Sequence, residues 1–198
     1  MRKVISLFKS ISIPVLVILV LHLSGLLSST AAYAQKILLQ TGILNASVNQ
    51  QVTQEDFPFN FNLNTLEGES FPIEQLKGKV IFLNLWATWC GPCRAEMPAI
   101  ESLYKNVAQE DLVFVMLSID KKADEQKVKN YVSSKGFTFP VYLVQSPFPN
   151  QLPEVLQVPS IPTTFVINKE GKIVYKNVGT ANYDTKKFRK LLQDLATE

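Results

Sequence analysis

A run of six residues from Val80 to Leu85, in which only Asn84 is polar, constrains the fold of this chain more than any other feature. The run closely follows Gly78 and contains no charged residue. A strand with this composition has no polar face to turn to water, so both of its faces must be buried, as in a parallel sheet. The sequence therefore predicts a sheet that is covered on both sides.

Strand and helix patterns alternate along the rest of the chain. The predicted elements, in order, are a hairpin within 57–73, the strand at Val80, a helix over 95–109, a strand over 112–119, a helix over 125–135 with Asp124 as its N-cap, a short strand over 141–144, a proline-rich loop over 145–159, a hairpin of strands 163–167 and 172–176, and a helix through Leu195. A β-α-β unit followed by an antiparallel hairpin predicts an α/β fold: a central mixed β-sheet flanked by helices on both faces, with an added N-terminal β-hairpin.

The first 34 residues differ from the rest and have the composition of a signal peptide. Basic residues at Arg2, Lys3 and Lys9 precede an uncharged apolar run over 11–27, and an Ala-x-Ala pattern ends at Ala34. We predict cleavage after Ala34, with an uncleaved membrane anchor as the alternative, since the run is at the lower limit of a bilayer span. Residues 35–56 are interpreted as a linker or an extra edge strand, and 57–198 as the folded domain.

Charge and histidine content exclude several kinds of site. The chain has 20 basic and 17 acidic residues, and removal of the three basic residues of the leader leaves equal numbers of both signs. This balance predicts no nucleic-acid binding, and membrane association is expected only if the leader is retained. The single histidine, His22, lies in the leader. Two cysteines without a histidine are too few for a zinc site, so we expect no metal and no other cofactor.

Cys90 and Cys93 are the only cysteines, and only Gly91 and Pro92 separate them. A disulfide between them closes so short a loop that it adds little stability, which favours a redox-active pair over a structural one. Cys90 falls where the buried strand gives way to a helix, and the helix dipole and free N–H groups there favour the reactive thiolate. We therefore predict that Cys90 attacks a substrate disulfide and that Cys93, one turn inside the helix, resolves the mixed disulfide.

Two motifs, NLWATWCGPC at Asn84–Cys93 and IPTTF at Ile161–Phe165, resemble those of the thioredoxin superfamily. The stretch from Trp86 to Pro98 is similar to the TlpA/ResA-like thiol-disulfide oxidoreductases of the bacterial cell envelope. The resemblance covers about Phe57 to Leu195 and implies a thioredoxin fold. It also implies an exported protein-disulfide reductase, periplasmic or otherwise extracytoplasmic, for which apocytochrome c is the first substrate to test.

The same resemblance implies a binding site beside the cysteines. Pro162 matches the family's cis-proline, with an ordinary turn proline as the alternative, and the backbone of Ile161 is expected to pair with an extended substrate segment. Trp89 is expected to form part of the docking surface, and Pro92 to tune the redox potential. A Gly-Pro pair between the cysteines resembles reducing thioredoxins, which favours a reductase over an oxidase.

Glu96 lies three residues after Cys93, a spacing that places both residues on one side of a helix. Ordinary thioredoxins have an aspartate at the position that matches Asn84. Because Asn84 cannot titrate, the resemblance implies that Glu96 transfers the proton during thiol exchange. The alternative is a solvated helix glutamate, paired with Arg94 or with a lysine.

The expected partners are a disulfide-containing envelope protein as substrate and a membrane thiol-reducing electron donor. Two other functions stay open at this point. One is an envelope peroxidase of peroxiredoxin type, because residues 57–79 are similar to the opening of peroxiredoxins, although no Thr/Ser-x-x-Cys motif stands where a peroxidatic cysteine is expected. The other is a non-catalytic thioredoxin-fold module that only binds a partner.

Overall fold

The computed structural model describes residues 44–46, 55–107, 110–144 and 152–198, and it confirms the predicted α/β fold. The predicted signal peptide, most of the 35–56 extension and the first part of the 145–159 loop lie outside the described residues. The strands are β1 (Asn62–Thr65), β2 (Ser70–Pro72), β3 (Val80–Trp86), β4 (Leu112–Ser118), β5 (Val141–Val144), β6 (Thr163–Ile167) and β7 (Ile173–Val178). They form one mixed sheet in the order β2-β1-β5-β4-β3-β6-β7, with β1 and β2 as the predicted N-terminal hairpin.

Three α-helices accompany the sheet within the described ranges: α1 (Gly91–Val107), α2 (Glu125–Lys135) and α3 (Lys186–Thr197). Three-residue or four-residue 3-10 helices lie at Ile73–Leu76, Lys122–Asp124 and Glu154–Leu156. Helix α1 begins at Gly91, directly after Cys90 as predicted and four residues before the helical periodicity that starts at residue 95. Pro92 is tolerated in this first turn, where its missing N–H has no helical partner to lose. In the part of the chain that the structure describes, no helix has both the length and the apolar character that a membrane crossing requires.

Strand β3 is the centre of the sheet, and all seven of its residues are buried. It runs parallel to β4, from Val80 opposite Leu112 to Trp86 opposite Ser118. On its other edge it runs antiparallel to β6, with Asn84 opposite Thr164. Neighbours on both edges and cover on both faces explain why the run is apolar, and the end of this strand leads directly to Cys90.

The α-helices gather on one face of the sheet. The crossovers from β3 to β4 and from β4 to β5 step in the same direction, and right-handed crossovers of that kind put α1 and α2 on the same face. Helix α3 lies on the face of the sheet that Phe82 occupies, because the rings of Phe82 and Phe188 of α3 are in contact, with their centroids 6.2 Å apart. Trp86 shares the face of Phe82 by strand alternation, and it contacts Tyr131 of α2 at 5.9 Å.

Shorter segments cover the opposite face. Leu83, which points away from the Phe82 side, pairs with Phe165, and the ammonium of Lys176 lies 5.3 Å from the centre of the Phe165 ring. Lys176 in turn lines a cavity with residues of the 3-10 helix Glu154–Leu156. Helical segments therefore lie on both faces, as predicted, but the long ones share the side on which the cysteine-bearing helix packs.

The helix ends show one wrong prediction. Asp124 stands at the N-cap of α2, but its side chain accepts no capping hydrogen bond and instead binds Lys127, with Asp124 Oδ1 and Lys127 Nζ 2.6 Å apart. The preceding 3-10 turn puts Asp124 at φ −99° and ψ 6°, outside the extended conformation that a capping side chain needs. Thr185 does cap α3, since its Oγ1 accepts the N–H of Phe188 at 3.2 Å.

Two pieces of the N-terminal extension pair with the domain. Asn182 donates its backbone N–H to the carbonyl of Leu44 at 2.8 Å, and its own carbonyl accepts the N–H of Ala46 at 3.0 Å. The carbonyl of Glu55 accepts the backbone N–H of Ile173 at 2.9 Å. The boundary between extension and domain at residue 56 stays a prediction.

Candidate active site

Cys90 and Cys93 are bonded to each other at the N-terminus of α1, with their Cα atoms 5.3 Å apart. A tight turn delivers the pair from the end of β3, because the Cys90 N–H donates to the carbonyl of Ala87 at 3.1 Å. The Cys93 N–H points at the Cys90 Sγ, 3.2 Å away. That N–H is one of the unpaired donors of the first helical turn, and it would stabilise negative charge on the Cys90 sulfur after reduction.

The two cysteines differ little in exposure. Cys90 is 5% exposed and Cys93 is fully buried, so Cys90 is the more exposed of the two, as predicted. Even so, Cys90 is less exposed than its position at the tip of a helix suggests. Trp89, directly before Cys90, is 66% exposed and is therefore available to a partner. Trp86 is fully buried, which separates the two tryptophans into one surface and one core residue.

The predicted proline loop lies against the cysteine pair. The peptide bond between Ile161 and Pro162 is cis, so the turn-proline alternative is wrong. The Ile161 carbonyl oxygen lies 3.8 Å from the Cys90 Sγ. Pro92, also named from the sequence, is exposed in the first turn of α1. The fold thus brings Trp89, Cys90 and Ile161 together, although they come from two distant parts of the chain.

Glu96 is fully buried, so the solvated alternative, including pairing with Arg94, is wrong. Its carboxylate accepts hydrogen bonds from the side-chain amide of Asn84 at 2.9 Å and from the backbone N–H of Ala181 at 3.1 Å. Burial raises the pKa of Glu96 to about 8, and the two hydrogen bonds, both from neutral groups, offset this only in part. Glu96 therefore holds a proton at neutral pH, one helical turn beyond Cys93.

The polar cluster continues from Asn84 to two tyrosines. The Asn84 amide also donates to Thr164 Oγ1 at 2.8 Å, whereas its own oxygen has no hydrogen-bond partner among the described residues. Burial, and next the nearby charge of Glu96, raise the pKa values of Tyr175 and Tyr183. Rotation of the Asn84 amide would offer that unpaired oxygen to a protonated Glu96, so the cluster can accommodate both protonation states of the carboxyl group.

Asp120 is a site residue that the sequence did not single out. It is 4% exposed, and its carboxylate accepts the Thr88 N–H at 2.8 Å, the Thr88 hydroxyl at 2.6 Å and the Ser118 hydroxyl at 2.7 Å. These bonds fix the turn that carries Trp89 and Cys90. The sequence signal that could have identified Asp120 is its position just after the end of β4. The carboxyl ends of neighbouring parallel strands meet at one edge of a sheet, so Asp120 lies near the residues that follow β3.

A family model described as Redoxin matches residues 52–195. The chain belongs to the Redoxin family. Together with the homologues, the match confirms the resemblance drawn from the two motifs, and the chain is a TlpA/ResA-like member of the thioredoxin superfamily.

Among known proteins, the chain is 37% identical to the thiol-disulfide oxidoreductase ResA of Bacillus cereus over 120 residues. This alignment covers 61% of the chain and spans 66% of the length of that relative. The structure is similar to StoA from Bacillus subtilis, with a TM-score of 0.54 and 25% identity over 75% of this chain and 100% of StoA. It is also similar to a thioredoxin-family thiol:disulfide interchange protein from Chlorobium tepidum, with a TM-score of 0.56 and 29% identity over 72% and 97% of the two chains.

Proposed function

We propose that this protein is an exported thiol-disulfide oxidoreductase that reduces disulfide bonds in other proteins of the cell envelope. The observation that carries the proposal is the bonded Cys90–Cys93 pair at the start of α1, beside the cis bond before Pro162. Membership of the Redoxin family and the ResA homologues support thiol-disulfide oxidoreductase activity. The signal-peptide pattern of residues 1–34 supports export.

The first step is attack by the reduced Cys90. Its thiolate, stabilised by the Cys93 N–H and the α1 dipole, attacks one sulfur of the substrate disulfide. A bond forms between Cys90 and that sulfur, and the second substrate sulfur leaves as a thiolate. Trp89 and the Ile161 backbone are the proposed contacts that hold the substrate segment during this step.

The second step is resolution by Cys93. Its thiolate attacks the Cys90 sulfur, the substrate sulfur bonded to Cys90 leaves as the second thiolate, and the Cys90–Cys93 disulfide of the structure forms. Two electrons have then passed from the cysteine pair to the substrate. Before this step Cys93 must lose a proton, and the deprotonated form of Glu96 is the proposed acceptor. A pKa of about 8, close to that of a thiol, lets the carboxyl group release its own proton near neutral pH and then take one from Cys93.

The cycle closes when a membrane thiol-reducing donor returns two electrons to the pair. The Gly91-Pro92 sequence between the cysteines supports the reducing direction. Haem-attachment cysteines of apocytochrome c are the proposed first substrate, because they must be reduced before haem can bind.

Cys93→Ala tests this proposal. Cys90 then has no resolving partner, so a mixed disulfide with a substrate protein should accumulate and be visible by non-reducing electrophoresis and mass spectrometry. Cys90→Ala, the matched control, should trap nothing, and the reduced native chain should reduce the disulfides of insulin. Equal trapping by both variants would overturn the proposal. Faster consumption of hydrogen peroxide than of insulin disulfide by the reduced chain would favour a peroxidase instead.

A further inference from the structure

A groove lies beside Cys90 and is almost entirely apolar. Its volume is about 560 Å³, and its lining residues are Trp89, Ile119, Lys121, Val158, Pro159, Ser160 and Ile161. The groove includes Ile161, whose carbonyl oxygen lies 3.8 Å from the Cys90 sulfur. A peptide whose cysteine reaches Cys90 therefore brings its neighbouring side chains into this groove.

Lys121 is the one charged residue in the lining. It is exposed, and among the described residues it forms no ion pair, unlike Lys127, which is bound to Asp124. The acid next to it in sequence, Asp120, is buried and turned towards Thr88 and Ser118. The groove thus offers a substrate an apolar wall and a single positive charge that no described carboxylate neutralises.

We infer that this groove selects disulfide substrates in which an apolar side chain and an acidic side chain flank the reactive cysteine. The inference rests on the proposed function and adds the substrate class. The apolar side chain packs on Trp89 and Val158, and the carboxylate pairs with Lys121. A basic residue at the same place meets like charge, so the groove also rejects such substrates.

The experiment uses fluorogenic peptide disulfides that share an apolar residue beside the cysteine and differ only in the next residue, which is Glu, Gln or Lys. The reduced native chain should give a kcat/KM that falls in the order Glu, Gln, Lys, by about two- to five-fold for each step, as for a partly exposed ion pair. Lys121→Glu should reverse the order. Lys122→Glu is the matched control, because it makes the same charge change at the next residue, which does not line the groove.

The outcomes separate this inference from the proposed function. Equal rates for all three peptides with the native chain, or the same loss of preference in Lys121→Glu and Lys122→Glu, would overturn the inference and leave the reductase intact. If the reduced native chain reduced none of the three peptides, the proposed function would be overturned, and the groove inference with it. Preservation of the order in Lys121→Glu would also overturn the inference.

Discussion

Helix α1 carries two buried glutamates, Glu96 and Glu101, whose surroundings differ sharply. Glu96, in the cysteine-proximal half of the helix, is bound by two neutral donors, the Asn84 amide and the Ala181 N–H. Five residues later, Glu101 accepts the N–H and hydroxyl of Thr138 and pairs with the ammonium of Lys105 at 2.9 Å. One carboxyl group therefore lacks a counter-charge and the other has one.

The difference shows that the partners of a carboxyl group decide its protonation even within one helix. Burial raises the pKa of Glu96 to about 8. Burial also acts on Glu101, but Lys105 and Thr138 outweigh it and hold the pKa of Glu101 below its usual value. The end of α1 near the cysteines thus keeps a transferable proton at neutral pH, while the Glu101 region uses a fixed charge to tie the chain after α2 to α1.

The largest expected effect is on the pH dependence of stability. Between pH 4.5 and about 8 the folded protein keeps a proton on Glu96 that the unfolded chain releases. The Glu96 contribution to the free energy of unfolding is therefore complete below pH 4.5 and is lost as the pH rises to about 8, by up to about 1.4 kcal/mol per pH unit. Urea unfolding of the oxidised protein at several pH values measures this slope, and Glu96→Gln should flatten it.

Glu101 should behave in the opposite way. Its lowered pKa gives a contribution that is present above the pKa of an unfolded glutamate and is lost as the pH falls through the folded value. Glu101→Gln should therefore not change the decline in the free energy of unfolding between pH 5 and 8. An identical slope in the native protein and in Glu96→Gln would contradict the raised pKa of Glu96.

The next effect is on the exchange rate. Glu96→Gln keeps the shape of the side chain but removes the proton acceptor, so thiol-disulfide exchange at pH 7 should slow on the order of 100-fold. Glu101→Gln, on the same helix, should change the rate by less than about two-fold because its partners lie away from the sulfur atoms. Stopped-flow fluorescence of Trp89 follows the reaction. If Glu96→Gln left both the rate and the pKa of Cys90 unchanged, the proton-transfer role would be abandoned.

The smallest effect concerns two acids that hold a threonine in the same way. Asp120 binds the N–H and hydroxyl of Thr88, as Glu101 binds those of Thr138. Alanine at either acid leaves a backbone N–H unpaired and should cost about 1–3 kcal/mol of unfolding free energy, measured by urea titration. Only Asp120→Ala should also slow exchange, by roughly ten-fold, because it frees the turn that positions Cys90.

Asp120→Asn should restore most of that rate, since the amide retains an acceptor for the Thr88 N–H. Equal slowing by Asp120→Ala and Glu101→Ala would show that general loss of stability, and not the cysteine turn, controls the rate.

The sequence by itself determined the features that depend on neighbours along the chain. The apolar run at Val80 predicted the buried strand, and the spacing of Cys90 and Cys93 predicted a redox-active pair at the start of a helix. The resemblance of the IPTTF motif identified Pro162 as the cis residue. Such features can be recognised in the sequence because periodicity, short loops and motifs are local.

Only the tertiary structure decided which distant groups surround those residues. Glu96 meets Asn84 and Ala181, and Asp120 meets Thr88, across separations of 12, 85 and 32 residues. The protonation of a buried carboxyl group depends on the balance between lost hydration and the charges that the fold brings near it. That balance has no counterpart in a one-dimensional pattern, so spacing could place Glu96 near the cysteines but only the folded sheet could give it its pKa.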